Sequence, residues 1–121
     1  MGTLSGSCHC GAVVVNVARR PRQLTDCNCS ICRRYGTLWA YYSPASVEII
    51  AVEKSMEIYS WGRKSLRFHR CARCECVTHY LRSLGQASAR IGVNARMFEP
   101  EVVASVRIRH LDGAASWKYL D

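Results

Sequence analysis

Three thiols within six residues, Cys27-Asn28-Cys29-Ser30-Ile31-Cys32, followed at once by Arg33 and Arg34, carry the densest chemistry in the sequence. Zinc takes four donors in a structural site and keeps a position open in a catalytic one, and thiolates are among its preferred ligands. Three sulfurs therefore leave one place to be filled. The other cysteines fall into Cys8-His9-Cys10 and Cys71-Ala72-Arg73-Cys74-Glu75-Cys76. Sulfurs at about 2.3 Å from one zinc ion lie under about 4 Å from one another, so ligand pairs come from tight turns. Cys8/Cys10 and Cys71/Cys74 are two such pairs, and joined they make a closed site that adds folding free energy directly. Pairing Cys8 and Cys10 with two of the trio also satisfies the spacing.

The place left open beside Cys27, Cys29 and Cys32 has two readings. A thiol entering it would be held as thiolate, because zinc favours the deprotonated ligand and a free cysteine has a pKa of about 8.5. A fourth protein ligand would instead close the site, and Cys76, His69, His79, His9 and His110 have the right chemistry. Cys76 also reads as a small core residue. Glu75 offers an acid/base group, and Arg33 and Arg34, adjoining the thiols, suit a carboxylate on a ligand.

Eight cysteines would make a disulfide framework only in a secreted chain. Residues Met1 to Ser7 lack the basic start and apolar run of a signal peptide, and no stretch is long and apolar enough to span a membrane. A cytoplasmic, reduced, metal-binding protein is the expectation. At 121 residues, with 49% hydrophobic and 21% charged residues and no linker composition, a single domain over residues 1–121 is predicted. The formal net charge is +8, and seven thiolates with two zinc ions lower it without reversing its sign. Such a surface attracts anions, either nucleic acid or a small carboxylate. Most of the arginines, in scattered pairs such as Arg19-Arg20, read as a solvated face.

The elements that must position these thiols are strands. Ala12 to Val17 is β-branched and follows the first cysteine pair on its glycine-flanked turn. Thr37 to Tyr42, Val47 to Val52, Met56 to Trp61, Leu66 to Arg70 and Val77 to Leu81 are further strands, the third and fourth members of the whole series forming a hairpin. Asn28 suits left-handed backbone between two ligands, and Ser30 to Arg34 suits one helical turn ended by Gly36. Ala87 to Val93 is a weaker strand, Met97 to Pro100 a loop, and Val102 to Arg109 the last strand. The tail from His110 to Tyr119 is too rich in large residues to be loose. The predicted class is mainly antiparallel β.

Cys8-His9-Cys10-Gly11, then Cys27-Asn28-Cys29-Ser30-Ile31-Cys32-Arg33-Arg34, then Cys71 and Cys74, in that order, resemble the glutathione-dependent formaldehyde-activating enzyme and centromere protein V family, in its short bacterial form. The resemblance implies a β-tent fold, shared with a Rab exchange factor, of several small antiparallel sheets organised around two zinc sites. On that pattern Cys8, Cys10, Cys71 and Cys74 carry a structural zinc, and Cys27, Cys29 and Cys32 a catalytic one. The implied activity is that of a carbon-sulfur lyase on a small thiol-aldehyde adduct, as in S-(hydroxymethyl)glutathione synthase, with glutathione as thiol partner. One position departs from the pattern: Glu75 stands where the family has glycine, at a turn that favours positive φ. The alternative is a zinc-binding module without turnover, either a thiol carrier or a basic nucleic-acid binder. Nucleic acid is disfavoured, because basic and aromatic residues do not interleave.

Overall fold

The computed structural model describes residues 4–82 and 90–121. Among the described residues, ten strands and two short helices run in the order β1 (Leu4–Ser7), β2 (Val13–Val17), β3 (Gln23–Cys27), α1 (Cys32–Tyr35), β4 (Trp39–Tyr42), β5 (Val47–Ala51), β6 (Met56–Tyr59), β7 (Leu66–Cys71), β8 (Val77–Arg82), β9 (Ile91–Asn94), α2 (Pro100–Ala104) and β10 (Arg107–Leu111). Single 3₁₀ turns at Pro44–Ser46 and Ala95–Met97 join some of them. The architecture is mainly β, as expected.

Two sheets divide the strands. A three-stranded sheet has the order β1-β2-β5, and a seven-stranded sheet has the order β10-β3-β4-β9-β8-β7-β6. All pairings are antiparallel except β3 with β10, which run parallel from Arg107↔Gln23 to Leu111↔Cys27. The small sheet covers one face of the large one. Val15 and Val17 of β2 share a buried cluster with Leu24, Ala40, Tyr42, Ile91 and Val93 of the large sheet. Because strand side chains alternate, the neighbours of these residues must point to the other face. Trp39, next to Ala40, does so, and there it packs with Phe68 of β7, Tyr80 of β8, Cys27 and Cys32. Strand alternation thus turns one face of the large sheet into core and the other into the floor of a site.

Three local expectations are corrected. The strands Val47–Ala51 and Met56–Tyr59 do not form a hairpin: β5 pairs with β2 and β6 with β7, in different sheets. The proposed last strand begins late, because Pro100 starts a helix at a position where its missing N–H costs nothing, and only Arg107–Leu111 is extended. Asn28 is not among the residues with positive φ, which outside glycine are Lys54, Lys64, Glu75 and Trp117 among the described residues. The helical turn before Gly36 is present, ending with Gly36 in the left-handed region at φ 68°. The first three positions of the weaker strand predicted from Ala87 to Val93 lie outside the described residues, and its end, from Ile91 on, belongs to β9.

Candidate metal centres and the cleft beside them

The turn between β1 and β2 presents Cys8 and Cys10, and the turn between β7 and β8 presents Cys71 and Cys74. Their four sulfurs lie within 4.8 Å of one another. Cys8 and Cys10 Sγ are 3.8 Å apart and Cys10 and Cys71 Sγ 3.6 Å apart. A tetrahedron with metal-sulfur bonds of about 2.3 Å has edges of about 3.8 Å, so the donor set fits a four-sulfur metal site. Backbone N–H groups are aimed at the same sulfurs, from Val13 to Cys8 at 3.3 Å and from Arg73 to Cys71 at 3.4 Å. Burial pushes the Cys74 thiol up, but N–H groups of Cys76 and Cys10 and the neighbouring thiols overcome it and bring it down to about 5. Glu75, where the turn needs a left-handed residue, takes φ 67°, and its carboxylate accepts from Arg70 Nε at 3.0 Å.

Cys27 at the end of β3, Cys29 in the following turn and Cys32 at the start of α1 form the second cluster, again within 4.8 Å. The turn is held from inside, with the Cys32 N–H donating to Cys29 Sγ at 3.4 Å and the Trp39 indole N–H donating to Cys32 Sγ at 3.3 Å. The hydrogen bond with the Cys32 thiol, assisted by N–H groups of Cys29 and Gly113 against the effect of burial, draws the Cys27 thiol down to about 6. The same bond pushes Cys32 up. A bound cation would favour the deprotonated form of all three.

No fourth Cys, His, Asp or Glu joins this trio among the described residues, and the segments 1–3 and 83–89 contain none of these types. Each residue named as a fourth ligand is elsewhere. Cys76 sits beside the four-cysteine cluster, against the Cys74 thiol and the His9 N–H. Phe68 and Tyr80 face the trio, so the adjacent His69 and His79 lie on the opposite face of β7 and β8, with rings stacked at 4.4 Å. Burial, then His69, holds His79 down to about 3, and its Nδ1 meets the Thr78 hydroxyl at 2.8 Å. His110 is bound to Asp121 at 2.7 Å. His9 belongs to neither cluster.

The trio opens into a cleft of about 840 Å³ with mostly apolar walls. Trp39, Phe68 and Tyr80 form its floor, and Arg33, Arg63, Trp61 and Trp117 stand around it. Of the two arginines expected beside the thiols, Arg33 lines the cleft, whereas Arg34 donates to the Ser30 carbonyl at 2.6 Å. Arg63 and the two tryptophans were not singled out from sequence. Trp61 and Trp117 are 49% and 66% exposed, unusual for such large apolar rings.

The chain after β10 straps across the trio. Asn28, between two of the thiols, donates from Nδ2 to Asp112 Oδ1 at 3.1 Å and accepts from the Ala114 N–H at 2.8 Å. Asp112 also accepts from the Ser116 hydroxyl at 2.9 Å, and its carbonyl accepts from the Trp117 N–H at 2.8 Å. Gly113 passes so close to the thiols that a Cβ would stand 2.5 Å from Cys27 Sγ. Trp117 adopts φ 60°, a strained conformation for an aromatic residue.

A family model described as glutathione-dependent formaldehyde-activating enzyme matches residues 3–108, which include all eight cysteines. The chain belongs to that family. A solved crystal structure of a Rhodobacter sphaeroides protein is similar in fold, at 24% identity and a TM-score of 0.70, over 87% of this chain and 99% of that one. The strap with Gly113 and Trp117 lies beyond the residues that the family model matches. Among the described residues no helix is long and apolar enough to cross a membrane.

Proposed function

We propose that this family member is a zinc-dependent carbon-sulfur lyase that makes and breaks the adduct between a small thiol, such as glutathione, and an aldehyde, such as formaldehyde. The observation that carries the reading is the contrast between the two cysteine clusters, four sulfurs together in one and three beside an 840 Å³ cleft in the other. Zinc bound by Cys27, Cys29 and Cys32 would supply an open coordination position and a positive charge that favours the deprotonated form of a thiol. Zinc at Cys8, Cys10, Cys71 and Cys74 would be structural.

In the forward direction the thiol sulfur forms a bond to the aldehyde carbon, the carbonyl π pair moves to oxygen, and the proton lost by sulfur ends on that oxygen. The reverse breaks the carbon-sulfur bond and returns the proton to sulfur. The chain's own groups prepare this exchange. Trp39, Phe68 and Tyr80 keep the floor apolar, Arg33 and Arg63 offer charge to a carboxylate on the thiol, and Trp61 and Trp117 flank the cleft. None of the eight cysteines is in a disulfide, which suits a reducing compartment such as the cytoplasm. Two-dimensional exchange NMR on a formaldehyde and glutathione mixture tests the reading. The metal-loaded protein should accelerate exchange above the buffer rate, and the buffer rate alone, with metal confirmed present, would reject these substrates.

A further inference from the structure

A second cavity, of about 340 Å³, shares Tyr41 with the thiol cleft. Arg19, Arg22 and Arg90 line it, brought together from the β2–β3 connection and the residue before β9. Their separation in sequence hides this convergence. All nine acidic residues are among the described residues, yet none forms an ion pair with these three arginines, whereas the neighbouring Arg20 is bound to Glu101 at 3.6 Å.

The cavity is also built in advance. Tyr42 donates its hydroxyl to the Arg19 carbonyl at 3.0 Å, the Ala18 N–H donates to Ser46 at 2.9 Å, and Pro21 is buried, so the loop bearing two arginines is pinned at several points. The Arg90 guanidinium lies over the Tyr41 ring, 3.8 Å from its centroid. Stacking occupies the face of a guanidinium and leaves its N–H edge free to donate. Tyr119 forms another wall, fixed by a 2.8 Å hydrogen bond between its hydroxyl and Thr25, and by Arg109 over its ring at 4.0 Å. Three uncompensated cations around a preformed polar cavity repel one another unless an anion enters.

We propose that this cavity binds the anionic group, a carboxylate or a phosphate, of a small ligand. The site stands apart from the reaction proposed at the thiols and does not depend on it. Fork-shaped guanidinium donors recognise either group bidentately, and the cavity suits the end of a small molecule better than a polymer.

Isothermal titration of the metal-loaded protein with inorganic phosphate, and separately with glutarate, tests the site. Saturable binding at about millimolar affinity or tighter is expected, weakened about tenfold or more by Arg22→Ala and by Arg90→Ala and unchanged by Arg20→Ala. Tighter phosphate binding assigns a phosphoryl group and tighter glutarate a carboxylate, and either order sustains the site. Melting of each variant checks that the exposed substitutions leave the fold intact. Binding should also persist in Cys29→Ser, which breaks the thiol cluster. Absence of saturable heat with both anions, equal weakening by Arg20→Ala, or loss in Cys29→Ser would overturn the proposal.

Discussion

Replacing Gly113 by alanine tests whether the strap shapes the thiol cluster. The new Cβ would lie 2.5 Å from Cys27 Sγ, 3.0 Å from Cys29 Cβ and 3.2 Å from the Trp117 ring. Gly113 is not among the glycines with positive φ, so the backbone itself accepts alanine and the effect isolates the contact. The strap cannot simply lift away, because Asn28 and Asp112 hold it through several hydrogen bonds. Insertion of one methyl group into such a packed place costs about 1–3 kcal/mol. At about 4 °C per kcal/mol for a chain of this length, the melting temperature should fall by about 4–12 °C. Displacing a group that supports a metal cluster also lowers metal affinity by about 10–100-fold. Competition with a chromophoric chelator, combined with calorimetry on the same sample, should show weakening at the trio and full affinity at Cys8, Cys10, Cys71 and Cys74. Unchanged affinity at the trio together with unchanged melting would refute the close approach.

Separate roles for the clusters give further expectations. Cys71→Ser should lower the melting temperature sharply, while Cys29→Ser should remove one metal per chain and the activity yet leave far-UV circular dichroism unchanged; simultaneous loss of both metals from Cys29→Ser would contradict independent sites. Gly92→Ala would place a Cβ 2.2 Å from the Tyr80 ring, so a loss of about 1–3 kcal/mol and an altered near-UV spectrum are expected, and wild-type melting would show that Tyr80 does not rest on β9. His79 is held by burial at about 3, below its ordinary 6.5, so between these values the unfolded chain binds more protons and stability falls as pH falls. The slope of melting temperature against pH below about 6.5 should therefore be shallower in His79→Gln than in the parent, and equal slopes would show that burying His79 contributes nothing.

The metal clusters were legible because chemistry at two- and three-residue spacing is local, and each cysteine turn is a short piece of chain. Most strands were legible for the same reason, through β-branched and aromatic runs such as Val13–Val17 and Trp39–Tyr42. Partner choice was not. The short connection between β5 and β6 suggested a hairpin, but the buried face of β2 claims β5 and the cysteine turn draws β6 to β7. Gln23–Cys27 has no strong strand signal, and its extended form depends on β10 from the other end of the chain. Asn28 contributes its amide group, which binds the strap, and does not use left-handed backbone freedom. Glu75 shows the opposite outcome, since it takes up the left-handed turn itself although it is not a glycine. Arg63, Gly113 and Trp117 carry no motif, and only three-dimensional proximity to the thiols identifies them.

Loaded with metal, the trio should keep a position for an external sulfur while the other cluster does not. Substitution with ¹¹³Cd makes this directly visible, because the cadmium chemical shift depends strongly on the number of coordinating sulfurs. Two resonances are expected, one typical of four sulfurs and one typical of three. Addition of glutathione should move only the three-sulfur signal, toward the four-sulfur position. Two four-sulfur resonances before any thiol is added, or a three-sulfur resonance indifferent to glutathione, would contradict the account.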